Sequence, residues 1–153
     1  MIPYIGIDPG IHGAAGVIDG DGLFVRVDDL PILGGLLDIE GFEGVVGRWP
    51  SPAVVVIEQP QNYNATARSS GTTWRNIGRM EAIIAAWPET FKLTWVQPSA
   101  WTQVLQVGAD KSKHVARAAE LFPGAVLKGP RGGLLDGRAD SLLIAEWGRR
   151  KKR

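Results

Sequence analysis

Cysteine is absent from this 153-residue chain, and histidine occurs only as His12 and His114. Without cysteine there is no disulfide, no thiolate nucleophile and no cysteine-bound zinc. Two histidines are too few for a histidine-rich metal centre built from one chain. No run of about 18 apolar residues occurs, so no transmembrane helix and no membrane partner is expected. The opening MIPYIGIDPG enters a strand-like run at once and lacks the basic-then-apolar plan of a secretory signal. A large excess of either charge is missing too. The formal net charge is +1, so any nucleic-acid surface must be local rather than global. Repeats and long linkers are also wanting, which implies a single domain over 1–153. Its one dense charge block is the basic tail RRKKR at about 149–153, either a solvated terminus or a nucleic-acid contact.

What is present reads as a mixed α/β chain. YIGID (4–8) is a buried strand ending at Pro9-Gly10, and AAGVID (14–19) is a second. Asp19-Gly20-Asp21-Gly22 is a hairpin turn leading into LFVRVDD (23–29), a third. A glycine-interrupted helix is expected at about 39–49. AVVVIEQP (53–60) is a continuous β-branched run, as in a central strand buried on both faces. A polar stretch, QNYNATARSSGTTWRN, precedes a helix in IGRMEAIIAAW. FKLTWVQP (91–98) is the fifth strand, and Pro98-Ser99 opens a short helix. Asp110 caps KSKHVARAAELF. GPRGG (129–133) reads as a mobile loop, and the closing helix runs from about 138 to 149. Three meandering strands followed by helix-strand alternation imply one mixed sheet with helices on its faces.

The closing helix poses a chemical question. DGRADSLLIAEWG reads as amphipathic from Ala139, yet Asp136 and Asp140 stand four positions apart. On a helix that spacing stacks the two acids on one face, Cβ atoms roughly 5–6 Å apart, at a mild cost. Acids in a first turn also complement the helix dipole, so Asp136 or Gly137 serving as a simple cap is the alternative. Two further acids bear on the choice. Asp8 ends the first strand and Glu58 the fourth. In open α/β sheets, sites form at the carboxyl ends of strands. Neighbouring parallel strands would bring Asp8 and Glu58 side by side, and buried acids without a basic partner need a cation. Oxygen-only ligation selects Mg2+, with Mn2+ able to substitute. Two such ions per site activate water and stabilise the leaving oxygen of a phosphodiester.

The motifs YIGIDPGIHGAAGVID, VVVIEQP and DGRADSLLIAEWG together resemble those of RuvC-type Holliday junction resolvases, within the ribonuclease H-like superfamily. The resemblance spans nearly the whole chain in order. It implies a ribonuclease H-like five-stranded sheet of order 3-2-1-4-5, with strand 2 antiparallel. It also implies a homodimer, Mg2+-dependent nicking of opposed strands in a four-way DNA junction, and a bacterial or phage-encoded protein of the host cytoplasm. By matching position, Asp8, Glu58 and Asp140 are the catalytic, metal-binding acids. The commoner pattern sets its last two acidic positions three apart. Here Gly137 is three before Asp140, so Asp136 is taken as the fourth ligand, a spacing more like phage and divergent members. An aromatic often follows the strand-four glutamate by three. Here that place is Gln61, and Tyr63 is the nearest aromatic.

Candidate DNA contacts follow Glu58. Gln61, Tyr63, Arg68, Arg75 and Arg79 are interleaved with serine, threonine and Gly71, a set suited to phosphate oxygens and exposed bases. Lys111 and Lys113 resemble a basic motif of the family, and cations at a helix start oppose its dipole, which points to a phosphate partner. His114 is assigned to that helix's polar side and His12 to a turn. Trp87, Trp101 and Trp147 are assigned to the core or a dimer interface. Three rival readings remain at this point. GIDPGIHGAAG also resembles the phosphate-binding hairpin of sugar kinases and actin-like ATPases. Those need two such halves, however, so no nucleotide cofactor is expected. The others are a non-catalytic DNA-binding module and a nuclease of the same chemistry acting on flaps, branched DNA or RNA–DNA hybrids.

Overall fold

The chain is seen in a computed structural model that describes residues 1–60, 67–87 and 89–151, and of 67–70 the backbone alone. Three strands open it: β1 (Tyr4–Ile7), β2 (Ala14–Ile18) and β3 (Phe24–Asp29). The turn between β2 and β3 is built by Asp19, whose Oδ1 accepts the N–H groups of Asp21 and Leu23 at 2.9 and 2.8 Å. A small hairpin that sequence reading passed over follows, β4 (Ile32–Leu33) and β5 (Leu36–Leu37). Its turn is Gly34-Gly35, with φ of +59° and +82°, which only glycine adopts freely. Helix α1 (Ile39–Val46) is capped by Asp38, which accepts from the Gly41 N–H. Then come β6 (Ala53–Glu58), α2 (Ala67–Ala85), β7 (Phe91–Val96), α3 (Pro98–Leu105), α4 (Lys111–Leu121) and α5 (Asp136–Lys151).

The main sheet has the order β3-β2-β1-β6-β7, with β2 antiparallel and β6 and β7 parallel to β1. This is the expected order, β6 and β7 being the fourth and fifth strands of the sequence reading. Side-chain alternation splits the core in two. Tyr4, Ile18, Val54, Val56 and Val96 face α3, α4 and α5. Ile5, Ile7, Ala15, Val17, Val55 and Ile57 face α1 and α2.

Two expectations about helices are corrected. First, α2 begins ten residues before Ile77, inside the stretch read as polar loop. Serine, threonine and glycine are weak helix formers, but tertiary bonds override the propensity. Buried Asn76 accepts from Leu37 N–H and donates to the Gly35 carbonyl, while Arg79 donates to the Leu37 carbonyl at 2.7 Å. These bonds tie the helix to the β4–β5 hairpin. Second, α5 is not amphipathic: every residue of 139–148 is buried, as is Gly137. The sheet makes room for it with glycine. Gly6 and Gly16 are partners in the β1–β2 register. A Cβ on Gly6 would lie 2.0 Å from the Ser141 carbonyl oxygen and 2.4 Å from the Ala145 nitrogen. One on Gly16 would lie 2.8 Å from the Leu142 nitrogen. The helix backbone therefore rests directly on the strands.

The basic tail is also partly accounted for. Glu146, buried at 2% exposure, binds Arg149 through two bonds of 2.7 and 2.8 Å and Arg150 through one of 2.7 Å. The Lys151 ammonium lies 4.9 Å from the Trp147 ring centre. These residues belong to α5 rather than to a frayed terminus, while 152–153 lie outside the described residues.

Candidate active site

Asp8 and Glu58 come together because β1 and β6 are parallel and in register. Ile7 pairs with Ile57, and each acid is the next residue along the chain. Both follow residues facing α1 and α2, so both side chains turn toward α5. That helix carries Asp140 to the same end, since its backbone is seated at Gly6 and Gly16. Its first turn is equally close: a Cβ on Gly137 would lie 2.1 Å from the His12 carbonyl oxygen. Arg138 fixes this end of the helix through a two-pronged pair to Asp29 at the end of β3, 2.6 and 2.7 Å.

Two of these acids are held well above the ordinary carboxylate range. Burial lifts the Asp8 carboxyl to about 6; the Gly10 N–H opposes this and the nearby charges of Asp140 and Asp136 add to it. Burial likewise lifts Glu58 to about 7, against the bond from Trp101 and with help from Asp8 and Asp140. Asp8 and Glu58 both feel Asp140, and at these two the donors present do not compensate for the lost water. Asp136 stands at the rim with its side chain 43% exposed, whereas Asp140 is nearly fully buried.

Three further residues enter the site, none of which sequence reading had linked to these acids. Lys111, expected on phosphate, hydrogen-bonds Asp140 Oδ2 and lies 3.8 Å from Asp136. Burial works against its charge, but the Asp140 bond and the surrounding acids hold its pKa above the ordinary lysine value. His114, assigned to a polar surface, is buried at 3% exposure with Nδ1 2.6 Å from Asp140 Oδ1. Trp101 is core, as one of its two expected roles had it, and its indole N–H also donates to Glu58 Oε2 at 2.5 Å. The available signal was periodicity. Lys111 and His114 lie three apart on α4 and so share a face, and a buried tryptophan N–H needs an acceptor. Trp147 is also core, but Trp87 is 51% exposed.

The other DNA-contact candidates scatter. Arg75 is exposed on α2, Arg79 is occupied with the Leu37 carbonyl, and Lys113 is exposed on α4 beside a cavity of about 330 Å³. Gln61 and Tyr63 lie outside the described residues, as does the side chain of Arg68. His12 is exposed in the turn after Asp8. GPRGG is a closed turn, with Gly129 N–H bonded to Gly133 O and Gly132 N–H to Gly129 O.

Among the described residues, no three His, Asp or Glu side chains are gathered closely enough to enclose an ion as they stand. The donor chemistry nevertheless fits a hard divalent cation. Asp8, Glu58, Asp136 and Asp140 offer oxygens only, and two of these acids are raised by burial that nearby donors leave uncompensated. The cation now facing Asp136 and Asp140 is the half-exposed ammonium of Lys111, carried on a flexible stem.

Strand order, the helix laid across β1 and β2, and acids at the ends of two parallel strands define a ribonuclease H-like fold of the RuvC type. The structure is similar to Thermus thermophilus RuvC in complex with a Holliday junction substrate, with a TM-score of 0.72 and 16% identity over 99% of this chain and 96% of that one. It is similar also to a second Thermus thermophilus RuvC structure, with a TM-score of 0.67 and 18% identity over 99% and 97%. No protein-family model matches the chain, and no curated protein matches it by sequence. No helix among the described residues is long and apolar enough to cross a membrane.

Proposed function

We propose that this chain is a metal-dependent, structure-selective DNA endonuclease that resolves four-way junctions by paired nicks. One observation carries the reading: Asp8 and Glu58 stand side by side at the ends of β1 and β6, both within electrostatic reach of Asp140 of α5, on a fold similar to that of a junction-bound RuvC. In it, Asp8, Glu58 and Asp140, with Asp136 at the rim, hold two Mg2+ or Mn2+ ions. Such ions, when bound, lower the pKa of the attacking water and stabilise the leaving oxygen, giving 5′-phosphate and 3′-hydroxyl ends. Lys111 neutralises Asp140 when no ion is bound and is free to turn to a phosphate oxygen when one is. Exposed Arg75 and Lys113, together with Arg68, Gln61 and Tyr63, supply backbone and base contacts. A homodimer presents two such sites to the two opposed strands.

The test is strand cleavage of a labelled immobile four-way junction with Mg2+, beside a duplex, a flap and an RNA–DNA hybrid of matching sequence. Symmetric paired nicks on the junction alone are expected. Cutting of the flap or hybrid instead discards the junction substrate while retaining the carboxylate chemistry. No cutting of any substrate with either Mg2+ or Mn2+ refutes the enzyme.

Ion binding also leaves a mark on stability. The folded protein holds protons on Asp8 and Glu58 up to about 6 and about 7, whereas unfolded carboxyls release them near 4. Their contribution is thus fully present below about pH 4 and is lost as pH rises through 6 and 7. Divalent ions need the deprotonated acids. Mg2+ at about 100 times its Kd is therefore expected to raise Tm by roughly 5–10 °C above pH 7, and much less below pH 5.5. Thermal melts across pH with and without Mg2+ measure this, and an equal shift at both ends would contradict it.

A further inference from the structure

Behind the acids lies a continuous run of contacts that the proposed chemistry does not use. Trp101, on α3, is 2% exposed and donates its indole N–H to Glu58 Oε2. His114, on α4, has Nδ1 2.6 Å from Asp140 Oδ1 and Nε2 2.9 Å from the Gly108 carbonyl oxygen. The two rings meet edge to face, centres 5.1 Å apart at 72°. The path Glu58–Trp101–His114–Asp140 therefore joins the acid of β6 to the acid of α5 through side chains of two other helices. A packing role alone would be met by any large apolar pair. Both rings instead aim a nitrogen at a carboxylate, and each engages one oxygen only. The other oxygen of Asp140, Oδ2, is the one that the Lys111 ammonium takes. The Gly108 carbonyl, on the connection between α3 and α4, fixes the imidazole plane from the far side.

We propose that Trp101 and His114 are a pair of positioning residues that sets the separation and orientation of Glu58 and Asp140, and thereby the affinity of the site for divalent cations. The inference rests on the metal-dependent reading given under Proposed function. Hydrogen-bond partners behind metal ligands typically govern affinity by 10–100-fold. Here one contiguous unit would govern two ligands together.

The experiment is calorimetric titration of the metal-free full chain with Mn2+ at neutral pH, for wild type and for Trp101→Phe, His114→Leu and His114→Asn. Melting without metal and junction affinity in chelator are measured alongside. Trp101→Phe and His114→Leu are expected to weaken Mn2+ binding by about 10–100-fold, with junction affinity in chelator unchanged. His114→Asn, whose amide N–H can replace Nδ1–H toward Asp140, is expected to restore most of the loss. Wild-type Mn2+ affinity in folded Trp101→Phe and His114→Leu overturns the proposal. So does a His114→Asn variant as weak as His114→Leu, since packing alone would then be at work. If His114→Leu does not fold, the other two variants decide: weakened Trp101→Phe with near-normal His114→Asn supports the pair, and any other result overturns it. A wild-type chain that binds no Mn2+ removes the metal-dependent reading itself. Normal wild-type binding with unaffected variants removes only the positioning role.

Discussion

Asp8→Asn is expected to lower strand cleavage by more than about 100-fold, the upper end of what losing even an outer partner of a metal ligand costs. Junction binding in chelator should be retained. Asparagine keeps the size of the side chain and an oxygen to accept the Gly10 N–H, a bond of 3.1 Å. It removes only the charge that would hold an ion. The same change should make the metal-free protein more stable above pH 7. Burial and the charges of Asp140 and Asp136 lift the Asp8 carboxyl to about 6, so ionising it there costs on the order of 3 kcal/mol. Lost cleavage together with a raised melting temperature distinguishes a functional carboxylate from a structural one. Turnover near the wild-type rate would remove Asp8 from the site.

Gly6→Ala is expected to be among the most damaging single methyls in the protein. The new carbon would meet the Ser141 carbonyl oxygen and the Ala145 nitrogen, both backbone atoms of a helix buried on every side. No flexible side chain can turn away, so the helix or the strand must shift. Overpacking costs about 1–3 kcal/mol and occasionally more, and backbone contact puts this site at the upper end. Relative to a total stability of about 5–15 kcal/mol, that is a large share and corresponds to a fall in Tm of roughly 6–12 °C. Gly44→Ala is the control. That glycine lies within α1 with open space around its α-carbon, and the change should stabilise by about 0.4–1 kcal/mol. Any Gly6→Ala protein that folds should also bind Mn2+ less tightly, because lifting α5 carries Asp140 away from Asp8. Melting curves within 2 °C of each other for wild type and Gly6→Ala would show that the helix does not rest where described.

Much of this was legible in the sequence, for physical reasons. β6 is a run rich in β-branched residues that ends in an acid, and β1 is followed at once by another, so strand, burial and the place of the candidate acids coincide in one pattern. A meander leading into helix-strand alternation pointed to one mixed sheet, and the order 3-2-1-4-5 came from the family resemblance of the acidic motifs. Other features depend on partners far along the chain. α5 carries charged residues at intervals and looks one-sided; its burial rests on Gly6, Gly16 and the pairing of Glu146 with Arg149 and Arg150. His114 and Trp101 find their acids 26 and 43 positions away, which no local period reveals. The early start of α2 depends on Asn76 and the hairpin it holds, 39 positions upstream. Lys111 was expected on a phosphate; the bond it makes in this structure, to Asp140, spans 29 positions and is likewise outside any local period.

The seating of α5 on β1 and β2 also bears on how fast the molecule assembles. Asp8 meets its partner acid only when a helix more than a hundred residues later docks across the first hairpin, joined there by pairs such as Asp29 with Arg138, 109 positions apart. Such distant contacts slow folding, because long loops close before any reward is gained. They also mean that a divalent ion, held as proposed, would find its full set of ligands only in the finished fold. It should therefore leave the folding rate nearly unchanged and slow unfolding instead, acting as a latch on a door already shut.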